Sequence, residues 1–237
     1  MTSRRPRSAR AFRVALATLA LSGPVLVAGC SDGAEADSSP EQVLAAAKTA
    51  LDETSGVRLR LEVGDLPQGV DGLLSADGTA THDPAFDGSI RVAVGGVTAD
   101  AAVIAADGKV FAILPFTTKF AEIDPADYSA PDPAVLMSTE GGLSSLLTSA
   151  EEITAGDQVR DGADVLATYT GVLAGDRIVG IIPSADPQGE FDATFTVGAE
   201  DRLTQVVLTG PFYPDADAVT YTIDLADYGV EKDISAP

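Results

Sequence analysis

Apolar residues recur along the chain with two different periods, and the change of period marks its elements. Downstream of Pro40 they stand at helical spacing, at Leu44, Ala47 and Leu51. Ser39 and Gln42 have the spacing of a capping box, and Pro40 suits the first helical position. Gly56 suits the C-terminal stop. The pattern therefore predicts an amphipathic helix that begins at residue 40 and ends before Gly56.

From residue 57 to residue 63 apolar side chains alternate with charged ones, as in a half-buried antiparallel strand. The pairs Gly95-Gly96 and Asp107-Gly108 are strong hairpin signals between further strand candidates. The further predicted strands are Leu73–Thr81, Phe86–Val94, Thr98–Ala105, Lys109–Leu114, Asp164–Ala174, Phe191–Val197, Leu203–Thr209 and Val219–Leu225.

The segment 129–153 has a different pattern, with apolar residues at helical spacing on both sides of Gly141-Gly142. It predicts two short helices, after which Glu151-Glu152 is interpreted as a solvated helix end. Strands outnumber helices, and the helices are grouped rather than alternating with strands. The expected fold class is α+β, with a curved antiparallel sheet whose helices cover one side.

The first 29 residues have the pattern of a secretory signal peptide. Five arginines lie between Arg4 and Arg13, and an apolar stretch from residue 14 to residue 27 is too short to span a bilayer comfortably, which takes about 20 residues. Val27-Ala28-Gly29-Cys30 follows and resembles the lipobox of bacterial lipoproteins, in which the cysteine thiolate takes a diacylglyceryl group.

The alternative is an ordinary secreted protein in which Cys30 is incidental. Cys30 is the only cysteine of the chain and stands where the apolar stretch ends, which favours the lipobox. We therefore expect a signal peptide over residues 1–29, a lipidated cysteine and flexible tether over 30–39, and one domain over 40–237. The predicted location is the extracytoplasmic side of the cell membrane, held by the acyl chains on Cys30.

Charge excludes some classes of partner. Loss of residues 1–29 leaves 10 basic and 36 acidic residues, a formal charge of −26. Nucleic acid is excluded, because binding its phosphate backbone requires basic charge. A polybasic contact with anionic lipid is excluded for the same reason.

Candidate catalytic and metal chemistry is sparse. His82 is the only histidine, and no Gly-x-Ser-x-Gly motif or phosphate-binding glycine loop is present. Zinc lacks a second histidine or a free cysteine, and the aspartate-rich stretches do not have calcium-loop spacing. We therefore expect no enzyme activity, no metal and no cofactor, with His82 as a solvated loop residue.

Several segments, in this order along the chain, resemble the LppX/LprAFG family of actinobacterial lipoproteins. They are residues 56–61 (Gly-Val-Arg-Leu-Arg-Leu), residues 88–96, the Asp107-Gly108 hairpin with Phe111, residues 132–143, and the endings 210–213 and 225–229. The resemblance begins at Cys30 and covers nearly all of the chain that follows it. It implies a half-barrel similar to the lipoprotein carriers LolA and LolB, with helices that cover the concave face and enclose an apolar cavity.

The resemblance also implies a function: binding of acylated lipids or glycolipids and their transfer across the cell envelope, with an export transporter as a partner. The predicted cavity-lining residues are Val57, Leu59, Leu61, Ile90, Val92, Val94, Phe111 and Ile113 of the sheet, with Leu143 and Leu147 of the insertion. Ordinary core packing explains the same apolar stripes without a cavity. The main alternative function is an anchored accessory protein that binds a transporter or another envelope protein and carries no lipid.

Overall fold

The computed structural model describes residues 38–114, 117–128, 130–162 and 164–237. Residues 38–237 form one compact unit. The predicted signal peptide, Cys30 and the tether up to residue 37 lie outside the described residues. The helices are α1 (Pro40–Glu53), α2 (Leu143–Leu146) and α3 (Gly175–Ile178), with 3-10 turns at Pro125–Tyr128, Val135–Met137 and Ala199–Asp201. The strands are β1 (Gly56–Val63), β2 (Gly72–Thr81), β3 (Ala85–Val94), β4 (Val97–Ala106), β5 (Lys109–Ala112), β6 (Ala121–Ile123), β7 (Glu151–Asp161), β8 (Asp164–Ala174), β9 (Glu190–Val197), β10 (Leu203–Gly210) and β11 (Val219–Ala226).

All eleven strands belong to one open, curved antiparallel sheet. Their order is β6-β5-β4-β3-β2-β1-β11-β10-β9-β8-β7. Consecutive strands pair with each other except β6 and β7, which lie at opposite edges, and β1 pairs with β11 in the middle. Leu61 lies opposite Ile223 at that central junction. The first and last strands of the domain therefore meet at the centre, while β6 and β7 form the two edges.

The connection from β6 to β7 runs from one edge of the sheet to the other. The described residues of this connection, 124–128 and 130–150, carry two 3-10 turns and α2. The segment crosses the concave face, where Leu136 and Leu143 are buried. This crossing is the helical insertion that the sequence predicts, and it gives the sheet a cover on its apolar side.

Helix α1 covers the other part of the concave face. Its capping box is formed as predicted, since the Ser39 amide donates to the Gln42 side chain at 2.9 Å and the Gln42 amide donates to the Ser39 hydroxyl at 3.4 Å. Leu44, Ala47 and Leu51 are buried, and the helix packs against β7, β10 and α2. The predicted α+β class with a curved antiparallel sheet is confirmed.

Two edge elements correct the sequence interpretation. Glu151-Glu152 is not a helix end but the start of β7, where Glu152 adopts a positive φ of 52° beside an irregularity in the pairing with β8. The strand β6 was not predicted. Both strands pair with a neighbour on one side only, and most of their residues are exposed. Neither therefore has the alternation of buried apolar and exposed polar residues by which a strand is recognised in sequence.

No helix in the described parts of the chain is long and apolar enough to cross a membrane.

Candidate functional site

A cavity of about 280 Å³ opens on the concave face between strands β1–β5 and the crossing segment. Apolar cavities of about half this size stay dry and take apolar ligands. Every described residue that lines it is apolar: Leu59, Leu61, Leu73, Ala76, Phe86, Ile90, Val92, Val94, Ala99, Ala101, Val103, Val110, Ala112, Leu114, Ile123, Pro125, Ala130, Pro131, Pro133 and Leu136.

The cavity exists because the two halves of the concave face are filled differently. Beneath β8–β11 large rings pack together, with centroids 4.8 Å apart for Phe191 and Phe212 and 4.3 Å apart for Phe212 and Tyr221. Beneath β2–β5 many of the inward positions are alanines. Small side chains on a strongly curved sheet leave space that bulky residues would fill.

The ring of Phe86 forms part of the cavity wall and lies close to two glycines. Gly78 and Gly88 are opposite each other on β2 and β3. A Cβ atom built on Gly78 would lie 2.5 Å from the Phe86 ring, and one built on Gly88 would lie 2.7 Å from it. Since both glycines lack side chains, the ring can lie close to the sheet, in space that two Cβ atoms would otherwise occupy.

The cavity opens at the β3–β4 hairpin. Burial decreases along β3, from Phe86, which is fully buried, through half-buried Ile90 and Val92 to Val94, which is 41% exposed. The pairing partner of Val92 on β4, Ala99, is also partly exposed. The cavity is therefore closed near the start of β3 and open toward its end.

Charged groups lie on the opposite face of the sheet. Arg58 pairs with Asp77, and Arg91 donates to Asp100 at 2.8 Å, with all four side chains exposed. The Arg91 guanidinium lowers the pKa of the Asp100 carboxyl by a hydrogen bond. Arg58 and Arg91, which lie on strands that line the cavity, therefore have carboxylate partners and point away from the cavity.

Five of the ten predicted lining residues lie around this cavity. They are Leu59, Leu61, Ile90, Val92 and Val94. Val57 is on the same face but beyond the end of the cavity, where it is fully buried. Leu143 and Leu147 are also fully buried, but α2 packs beside α1 and so places them in the filled core.

The prediction that Phe111 and Ile113 line the cavity is wrong by one residue in register. Along β5 and the residue after it, Val110, Ala112 and Leu114 line the cavity. Since successive side chains of a strand point to opposite faces, Phe111 and Ile113 lie on the outer face. Phe111 pairs there with Ile104 of β4. The turn at Asp107-Gly108 determines this register, because it pairs Val110 with Ala105. Both of these side chains point to the inner face, so the turn could have identified the inward residues of β5 from the sequence.

Chemistry-bearing side chains do not gather at the cavity. His82 is bound through its ring Nε2 to the backbone oxygen of Leu51 at 2.6 Å, near the end of α1. Among the described residues no group of three or more histidine, cysteine, aspartate or glutamate side chains could hold a metal ion. The site can enclose an apolar molecule, and none of its described lining residues supplies a nucleophile or an ionisable group.

A curved antiparallel sheet, crossed by a helical segment and open to an apolar cavity, places this chain in a class of cavity-forming α+β proteins. The sequence model of the LppX_LprAFG lipoprotein family matches residues 39–234. The chain belongs to that family, as its resemblance predicted.

Two solved structures share the fold. LprF from Mycobacterium bovis superposes with a TM-score of 0.66 at 15% identity, over 84% of this chain and 96% of LprF. Lipoprotein LppX from Mycobacterium tuberculosis superposes with a TM-score of 0.60 at 11% identity, over 84% of this chain and all of LppX. No functionally curated protein matches the chain in sequence.

Proposed function

We propose that this protein is a lipid carrier: a lipoprotein, anchored through Cys30 on the extracytoplasmic side of the cell membrane, that binds acylated lipids or glycolipids and carries them across the cell envelope. The observation that supports this most directly is the apolar, open-ended cavity on the concave face. A soluble domain with only a structural role fills such space, because packed interiors are more stable.

Burial of hydrocarbon provides the binding energy. Each methylene transferred from water contributes about 0.8 kcal/mol, so a long acyl chain binds by area alone. The cavity has no charged lining residue in the described chain, so it holds the acyl part of a lipid. The head group remains at the mouth near Val94, where solvent is accessible.

Binding without catalysis follows from the same lining. Acyl transfer or hydrolysis needs a nucleophile and a base close to the bound ester, and His82 is engaged by a backbone oxygen away from the cavity. In this proposal an export transporter delivers or receives the lipid. The alternative, an anchored accessory protein that binds a transporter and carries no lipid, gives no reason for a cavity with an apolar lining.

Mass spectrometry of organic extracts tests the proposal. Purified protein should yield acylated lipid in near-stoichiometric amount, and Val92→Trp should reduce it because the indole occupies the cavity. The matched control is Ile104→Trp, which adds a ring to the outer face on the neighbouring strand. If Val92→Trp keeps its full lipid content and only lowers the melting temperature, residue 92 lies in an ordinary core and the carrier proposal fails.

A further inference from the structure

Among the described residues, exposed large apolar side chains occur at only two places in the fold. Val94 and Val97 are at the tip of the β3–β4 hairpin, with 41% and 68% exposure. Val159 and Val165 are on β7 and β8, near the hairpin at the opposite end of the strands. Only the first pair adjoins the cavity.

Val94 and Val97 close the hairpin as directly paired residues, so both project on the cavity side of the sheet. The turn between them is Gly95-Gly96, with φ of 59° and 79°. A two-residue turn with both φ angles positive matches the twist of the strands and favours glycine. No atom lies within 4 Å of a Cβ built on either glycine. The tip therefore presents two valines and bare backbone.

A hydrogen bond braces the tip. The Gly95 amide donates to the Asp71 carboxylate at 2.8 Å, which ties the hairpin to the connection between β1 and β2. Asp71 is exposed, so its carboxylate lies at the turn in contact with solvent. This hydrogen bond fixes the position of the hairpin tip relative to the sheet.

The two valines and the residues next to them along the chain carry no charge. Residues 92–99 contain no ionisable side chain, although the whole sequence carries 36 acidic residues. The next charges, Arg91 and Asp100, pair with each other on the outer face. Asp71 supplies the carboxylate beside the turn, and the valine side chains form an apolar edge on a strongly acidic domain. Such an edge suits a hydrocarbon partner and gives no attraction to anionic head groups.

We infer that the β3–β4 hairpin tip inserts into the outer leaflet of a lipid bilayer and places the cavity mouth against the acyl chains. Residues 30–38 reach at most roughly 30 Å, so an anchor on Cys30 keeps the domain within contact distance of that surface. Apolar area inserted at the interface determines the strength of such contacts. The inference rests on the proposed function, because it supplies the route by which a lipid enters the cavity.

Depth-dependent quenching tests the contact directly. The anchored protein is reconstituted in phosphatidylcholine vesicles with an environment-sensitive fluorophore on Val97→Cys, or on Val159→Cys as the matched control. Acyl-brominated phosphatidylcholine should quench position 97 and leave position 159 unchanged. Equal quenching of the fluorophore at the two positions overturns the inference.

Transfer measurements test its consequence. Passage of pyrene-labelled phosphatidylglycerol from the anchored protein to acceptor vesicles should be at least about tenfold slower for Val97→Asp, since loss of one inserted valine already amounts to about that factor. Val159→Asp should match the unaltered protein, and melting temperatures confirm that both variants fold. Equal rates for the two variants overturn the inference. If the unaltered protein binds no lipid while position 97 is still quenched, the carrier function fails and the bilayer contact stands.

Discussion

Tyr213 and Tyr221 join their hydroxyl groups by a hydrogen bond of 3.0 Å inside the filled half of the domain. Tyr221 is fully buried and packs on Phe212, so each hydroxyl depends on the other as its partner. Burial, followed by this hydrogen bond, raises the pKa of Tyr221. Burial also raises the pKa of Tyr228, whose hydroxyl donates to the Leu203 oxygen at 2.8 Å.

These two tyrosines predict a loss of stability at alkaline pH. Below about pH 10 both hydroxyls are protonated in the folded and unfolded chains, and they cause no pH dependence. Above that pH only the unfolded chain releases the protons, so each tyrosine lowers the free energy of unfolding by up to about 1.4 kcal/mol per pH unit. Denaturant unfolding at several pH values measures this slope.

Tyr221→Phe is the control for that slope. It removes the buried ionisable group together with the hydrogen bond to Tyr213, so its stability at neutral pH should fall by about 1 kcal/mol while its alkaline slope becomes shallower. An unchanged slope in Tyr221→Phe would show that another group is responsible.

Gly78→Ala should push the Phe86 ring into the cavity. The new methyl group would lie 2.5 Å from that ring and 2.7 Å from the Asp87 oxygen, so ring and backbone both must move. We expect a loss of about 1–3 kcal/mol in the free energy of unfolding and a smaller lipid content. Chemical denaturation and lipid extraction of the same preparations measure both effects.

Two variants complete that experiment. Gly180→Ala is the matched control, because no atom lies within 4 Å of its added Cβ. Gly78→Ala combined with Phe86→Leu should recover part of the loss, since the shorter side chain makes room. A Gly78→Ala protein as stable and as lipid-loaded as the unaltered chain would contradict the role of the glycine pair.

Cys30→Ala should release the protein from the membrane. Without the thiol no diacylglyceryl group is attached, and the chain remains uncut or is cut abnormally. Membrane washing followed by immunoblotting measures the released fraction, with Ser31→Ala as the control that keeps the acyl acceptor. Retention of Cys30→Ala as an integral lipoprotein would refute the anchor.

Local patterns predicted much of the fold. The capping box of Ser39 and Gln42 marks the start of α1, because its hydrogen bonds join residues three apart and need no distant partner. Alternation marks β1, since one face of a strand is buried and the other solvated. The polar edge strand β7 lacks that contrast, and only pairing with β8 reveals it.

The position of the site depended more on contacts between residues far apart in sequence. Leu59, Val92 and Val94, which alternation and the family resemblance assigned to the inner face, border the cavity. Phe111 and Ile113 lie on the outer face, because a shift of one residue in register exchanges the faces of a strand.

Local sequence patterns predicted the helix α1, most of the strands and the glycine turns, because each depends on side chains within a few positions of one another. Which apolar residues pack in the core and which enclose the cavity depends on contacts between distant segments of the fold. Leu143 and Leu59 are the same residue type and are both fully buried. Leu143 nevertheless lies on α2, which packs against α1, whereas Leu59 lies under the cavity that the crossing segment leaves open. The difference depends on where the connection from β6 to β7 crosses the sheet. That connection must cross because β1, the first strand, pairs with β11, the last strand, which leaves β6 and β7 at opposite edges.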